Sequence, residues 1–278
     1  MGIVLNANVT AMQAYDALST NQMNESTALQ QLSTGYSINK ASDNAAGLVI
    51  SEELRAQIGG YQQATANSQQ AINLVQTAEG ALNETESILQ RMRTLAVQGS
   101  NGTADSTALG AITAETTQNL AQIDQINNST VYGSLNLFGT GGATTSASFT
   151  FQVGQNANAV NSIVVSISAA TTVALGLSGL NVSSNTFASA AIATIDAAIS
   201  YVSALRGNLG AYQNRLSHVI NNDQVATQNI TASEAGIRDT DMAATMSTFT
   251  RNQILTQAST SMLAQANSMP QSVLKLLG

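Results

Sequence analysis

Apolar residues recur at steps of three and four towards both ends of the chain, and the step changes to two only in the middle. Near the start, Leu5, Val9, Met12, Tyr15 and Leu18, then Met23, Leu29 and Leu32, fall mostly on one face of a helix. A break follows from Gly35 to Gly47. A second helical pattern runs through Leu54, Ile58, Tyr61, Ile72, Val75, Leu82, Leu89 and Ala96, the last four spaced by sevens, and Gly99 and Gly102 are expected to end it. A shorter third helix carries Leu109, Ile112, Leu120, Ile123 and Ile126. On the return side, Ile195, Val202, Leu209, Leu216, Ile230 and Ile237 keep strict sevens, with only Asp223 out of type. A period of 3.5 held this long is a coiled-coil signal. The last stripe, Met242, Met246, Phe249, Ala258, Met262, Ala266, Met269, Val273 and Leu276, again steps by three and four, and Pro270 is expected to kink or fray that helix.

Between these arms Phe149, Phe151 and Val153 alternate with polar residues, as do Ile163, Val165 and Ile167, which predicts a β-hairpin of about six residues a side. The tract from Leu175 to Leu180 has no clear period. The fold class expected is mainly α: a long antiparallel helical coiled-coil bundle with a small β-hairpin region in the middle. Its segments are an N-terminal helix (1–42), further helices (43–133), a short hairpin and loop segment (134–185), a return helix (186–234) and a C-terminal helix (235–278).

Neither terminal stripe buries enough apolar surface, as an isolated helix, to offset the entropy of ordering its backbone. Both ends are therefore expected to fold only when paired with each other and with other copies.

Composition gives this expectation a surface to work with. The 278 residues carry 9 Lys plus Arg and 16 Asp plus Glu against 26 Asn and 24 Gln, where an ordinary domain is about 25% charged. Residues 125–195 contain no charge at all. Desolvating a neutral amide that finds a partner costs far less than desolvating a charge, so such a surface suits burial between subunits. A net charge of −7 with scattered cations gives no nucleic-acid footprint. The apolar runs are far shorter than a membrane span, and the N-terminus shows neither a basic region nor a cleavage site.

Candidate chemistry is sparse. Without Cys there is no disulfide frame or thiolate site, and the one histidine, His218, cannot build a catalytic metal centre, so no cofactor or metal is expected. Ser217 beside it faces away by about 100° on a helix, which excludes a nucleophile–base pair and leaves a surface histidine. Gly139, Gly141 and Gly142 lack the Lys-Ser/Thr of a phosphate loop and are expected to form a plain turn. No enzyme is expected.

Particular stretches add a resemblance. LSTGYSINKASDNAAGLVI (32–50), ANSQQAINLVQTAEGALNE (66–84), LQRMRTLAVQ (89–98), IDAAISYVSALRGNLGAYQNRL (195–216) and MPQSVLKLL (269–277) are similar to the conserved arms of bacterial flagellins, in order and spacing. The resemblance implies a secreted, extracellular filament subunit of the flagellum, short for want of large variable outer domains. It is expected to leave the cell unfolded, with terminal helices that fold on assembly. The hook–filament junction protein is the alternative, disfavoured by the QTAEGALNE and LQRMRTLAVQ stretches.

The inner-core assembly contacts expected are Leu5, Val9, Met12, Leu18, Met262, Met269, Val273 and Leu276. Val75, Leu82, Leu89, Ile195, Val202, Leu209 and Leu216 are expected to hold the outer core. The resemblance further implies a homo-polymer served by the flagellar export apparatus and a secretion chaperone at the C-terminal helix, with filament cap and hook–filament junction proteins as neighbours. It also places host Toll-like receptor 5 contacts on Gln90, Arg91, Leu95 and Glu115, where Arg91 offers a planar fork of donors and Leu95 an apolar anchor. It implies neither nucleic-acid nor membrane partners.

Overall fold

The computed structural model describes residues 8–139 and 146–277, with side chains described up to residue 269. Among the described residues there are five α-helices: α1 (Val9–Thr34), α2 (Ala45–Ser100), α3 (Ser106–Ser129), α4 (Asn185–Arg238) and α5 (Met242–Leu277). Between α3 and α4 lie β1 (Val131–Tyr132), β2 (Leu135–Asn136), β3 (Ala147–Gln152) and β4 (Ser162–Ile167). The chain divides into a terminal unit, within residues 1–56 and 229–278, and a central unit, residues 57–228, so α2 and α4 each contribute to both.

In the central unit the residues spaced by sevens form the core. Val75, Leu82, Leu89 and Ala96 of α2 and Ile195, Val202 and Leu216 of α4 have no solvent-exposed surface, and Leu209 almost none. α2 and α4 run antiparallel, because Glu79 accepts from Gln213 and Glu86 pairs with Arg206. α3 closes on them with Leu109, Ile112 and Ile123. One eighteen-residue window of α4 reaches a mean hydropathy of 1.5, enough by length and composition to cross a membrane. The short apolar runs do not reveal it, because Ala carries much of the apolarity. Ala188, Ala191, Ala198 and Val202 are buried here, which is the use the core makes of it.

One helix end departs from expectation. α2 passes through Gly99 and stops at Ser100, and Gly102 does not take the left-handed conformation of a C-cap. Gly99 serves a close approach instead: a Cβ there would stand 3.2 Å from the Ala188 Cβ and 3.5 Å from Leu109 Cδ2. Gly99→Val is expected to destabilise the unit by about 1–3 kcal/mol through overpacking, read as a shifted urea midpoint. At the other end of the chain α5 is helical from Met242 to Leu277, through Pro270.

The hairpin of β3 and β4 pairs in the register Phe149 with Val165 and Phe151 with Ile163. Ile163, Val165 and Ile167 enter the core, while Phe149 and Phe151 pack half-buried against it. The small β1–β2 hairpin carries a signal that periodicity overlooks. Gly133, at φ 63°, precedes Ser134 in a two-residue turn, the placement a type II′ turn favours. The tract without a period is a succession of turns, pinned by α3. Asp124 accepts from the Thr172 backbone N–H (2.9 Å) and hydroxyl (2.8 Å), and Asn127 accepts from the Ala170 N–H (3.1 Å).

Candidate assembly surface

The terminal unit pairs α1 with α5, antiparallel. Asn8 Nδ2 donates to the Ala266 carbonyl (2.9 Å), Asn21 Nδ2 to Ser259 Oγ (3.1 Å), and Thr256 Oγ1 to Glu25 Oε2 (3.1 Å). Asn8 also caps α1, accepting from the Ala11 N–H, and Asp241 caps α5 through the Ala243 and Ala244 N–H groups.

The protected positions of this pair step by three and four. On α1 they run through Ala11, Ala14, Leu18, Asn21, Glu25, Ala28 and Leu32, and on α5 through Thr245, Phe249, Asn252, Thr256, Ser259, Leu263 and Ala266. This seam is made largely of small and polar side chains, and only Ala28, Asn252 and Ala266 of it are fully buried.

The large apolar residues mostly lie elsewhere. Val9, Met12, Tyr15, Met23 and Leu29 on α1 are exposed, as are Met242, Met246, Ile254, Met262 and Met269 on α5, with Met12 at 64% and Met262 at 63%. Of the assembly contacts expected from the sequence, Leu18 therefore sits half-buried in the seam, and Val9, Met12, Met262 and Met269 face outward. Leu5 and the side chains of Val273 and Leu276 lie outside the described residues. An open groove of about 620 Å³ follows α5 past Met246, Arg251, Ile254 and Leu255.

Where the two terminal arms change direction, within the same unit, they are zipped together. Gly35 ends α1 in the left-handed region (φ 76°), which only glycine adopts without strain, and its N–H reaches the Gln31 carbonyl. The Ser37 N–H then donates to the Arg238 carbonyl (2.7 Å) and the Thr240 N–H to the Gly35 carbonyl (2.9 Å). The Arg238 guanidinium lies 4.7 Å from the Tyr36 ring centre and donates to Glu52 Oε1 (2.9 Å). Periodicity gave no sign of this clamp; its residues Tyr36 and Ser37 fall inside the first flagellin-like stretch.

Two carboxyls here are held below their ordinary range. The backbone N–H groups of Lys40 and Asn39 do this for Asp43, and the Arg238 hydrogen bond, with Arg55 near by, does it for Glu52. A carboxyl whose folded pKa is depressed adds stability at pH values above its unfolded value, near 4.5 for Glu52, and loses it as the pH falls through the folded pKa. Arg238→Gln is expected to flatten that acid limb, measured as helix content against pH between about 5 and 2.

On the central unit, Arg91 Nε pairs with Glu115 Oε1 at 2.7 Å; Arg91 and Gln90 are exposed and Glu115 is partly exposed. Leu95 is not: it is 2% exposed and belongs to the core. The expected apolar anchor beside Arg91 is therefore not presented at the surface, because that position of the helix lies within the core. Among the described residues no group of three or more His, Cys, Asp or Glu could hold a metal, and His218 is exposed.

Two family models match the chain: the bacterial flagellin N-terminal helical region over residues 5–142 and the bacterial flagellin C-terminal helical region over residues 192–277. The flagellin of Halalkalibacterium halodurans is 43% identical over 275 residues, covering 99% of this chain and 100% of that protein. The flagellar filament 33 kDa core protein of Treponema phagedenis is 39% identical over 287 residues, covering 99% and 100%. Among solved structures, a putative flagellar hook-associated protein from Vibrio parahaemolyticus matches with a TM-score of 0.58 over 71% of this chain and 100% of that one. At 12% identity that likeness is one of fold alone. With relatives of matching length at about 40% identity and both arms covered, the chain belongs to the bacterial flagellins.

Proposed function

We propose that this flagellin is the structural subunit of a flagellar filament for motility, and that it polymerises through the outward apolar residues of α1 and α5. The observation that carries the reading is the terminal pair itself. Its seam uses small and polar side chains, and leaves Val9, Met12, Met246, Ile254 and Met262 exposed along both helices. Contiguous apolar exposure of this kind marks an interaction surface, and a polymer covers it with further copies. A thin seam also makes the pair weak alone, so α1 and α5 become stably helical on assembly.

The same residues serve the other partners that the family implies. A chain that threads an export channel unfolded needs ends with little stability of their own, and the exposed apolar residues of α5 offer a secretion chaperone its surface. The mature polymer is extracellular, next to cap and hook–filament junction proteins. At the central unit, Gln90, Arg91 and Glu115 form a polar patch that a host Toll-like receptor 5 would reach, with Leu95 contributing through the core. The names of the relatives favour the filament subunit over the junction protein.

The test is electron microscopy of the purified chain after heating, cooling and addition of filament seeds. Helical filaments are expected. A chain that stays monomeric under those conditions, while Met12→Ser and Met262→Ser leave its solution behaviour unchanged, would refute the reading.

A further inference from the structure

The chain has no Cys and no Trp, which leaves the methionine thioether as the side chain that a peroxide oxidises most readily. Among the described residues the methionines divide by location. Met12 and Met23 of α1 and Met242, Met246, Met262 and Met269 of α5 are each between 51% and 64% exposed. Met92, in the core of the central unit, is 1% exposed. Oxidant reaches the first six and not the seventh, because susceptibility follows access to the sulfur.

The same six dominate the outward surface of the terminal pair. Among the described residues of α1 and α5, eleven large apolar side chains are exposed, and the other five are Val9, Tyr15, Leu29, Ile254 and Leu255. Met242 and Met246 stand one turn apart on α5, and Met262 and Met269 two turns apart, so each pair shares a side of the helix. Met246 also lines the open groove beside Ile254 and Leu255. A thioether is apolar and adapts to an irregular contact, which a sulfoxide does not.

We propose that these six methionines are reversible oxidation sites for peroxides, and that their conversion to sulfoxides turns the free subunit into one that does not polymerise. The inference rests on the assembly reading above and adds a modification that controls it. At each site the thioether sulfur gives a lone pair to one peroxide oxygen, an S–O bond forms, the O–O bond breaks, and hydrogen peroxide leaves as water. The product places a polar oxygen acceptor on a side chain whose contact with another copy excludes water, and burying an acceptor without a donor is costly. Met92 stays a thioether, so the central unit keeps its core. Copies already in a polymer have the six sulfurs covered, so oxidation selects subunits that are still free.

The test compares the full chain with a variant carrying Met12→Leu, Met23→Leu, Met242→Leu, Met246→Leu, Met262→Leu and Met269→Leu, which keeps apolar volume and helix propensity without an oxidisable sulfur. Each monomer is treated with hydrogen peroxide, freed of oxidant with catalase, mapped by peptide mass spectrometry and then seeded. In the wild type, sulfoxide is expected at the six positions and not at Met92, and the subunit concentration needed for filament growth should rise by about tenfold or more. Melting of the central unit should not change. Methionine sulfoxide reductases for both epimers should restore growth, and the Leu variant should grow equally with and without peroxide. In preformed filaments the six should oxidise more slowly than in the monomer. Oxidised wild type that grows as the untreated protein does, growth that stays blocked once the sulfoxides are reduced, a Leu variant that peroxide still inhibits, or equal oxidation rates in filament and monomer would each overturn the proposal. An untreated chain that forms no filaments refutes the assembly reading itself, and this inference with it.

Discussion

A chain lacking residues 1–30 is expected to remain in solution, with no filaments, under seeding conditions that polymerise the full chain. The deletion removes nearly all of α1, and with it Glu25, Asn21 and Asn8, the hydrogen-bond partners of Thr256, Ser259 and Ala266 along the α5 seam. It also removes Val9, Met12, Tyr15, Met23 and Leu29 from the outward surface. A 36-residue helix left without its partner is marginal in water, so α5 should lose most of its helical signal. The central unit keeps its own core and should still unfold cooperatively, which separates failure to assemble from failure to fold. Sedimentation and electron microscopy read the loss, and far-UV circular dichroism reads what stays folded. Polymerisation of the truncated chain on seeds would disprove the role given to α1.

Leu216→Ala in the central unit should cost about 2–5 kcal/mol of unfolding free energy in the monomer, whereas Met12→Ala should change it by no more than about 0.5 kcal/mol. Both side chains are large and apolar, and both sit on helical stripes. Leu216 has no exposed surface, in the seam shared with α2, so truncation leaves a cavity that the helix pair can only partly close. Met12 is 64% exposed and loses little that water does not already touch. Seeded growth should reverse the ranking: Met12→Ala slows polymerisation, while Leu216→Ala polymerises once folded. Urea unfolding of the monomer and light scattering of the seeded chain provide the two readouts. Equal destabilisation by the two variants would show that α1 is packed in the monomer as firmly as the central core.

Helices, hairpin and core of the central unit were legible because burial there follows the repeat. Val75, Leu82, Leu89 and Ala96 face Ile195, Val202, Leu209 and Leu216, and a seven-residue period on two antiparallel helices admits one seam. The hairpin was equally legible, since alternation in Phe149 to Val153 and Ile163 to Ile167 admits one buried face. Asp223 looked like an exception to the period, yet it is buried with the rest, because the register of a continuous helix fixes where each seventh residue points.

The terminal unit was legible in its elements but not in its seam. The apolar stripe of α1 predicted a face for burial, and the structure pairs α1 with α5 mostly along Ala and polar positions, with Leu18, Leu32, Phe249 and Leu263 among them, turning most of the stripe outward. Periodicity records that an apolar face exists and not which partner covers it. The clamp of Tyr36, Arg238 and Glu52, and the anchoring of Thr172 by Asp124, join residues far apart in the chain and follow no period.

The sequence by itself determined the helical arms, the central hairpin, the charge-poor surface and, through quoted stretches, membership of the flagellins. Those features follow from local spacing and composition, which a linear chain carries in full. Only the tertiary structure decided which stripe is used within one molecule and which is left for others, that Leu95 lies inside, and that a carboxylate stands without a partner in a seam of apolar neighbours. The reason is that burial is a relation between two surfaces, and the second surface comes from residues more than a hundred positions away.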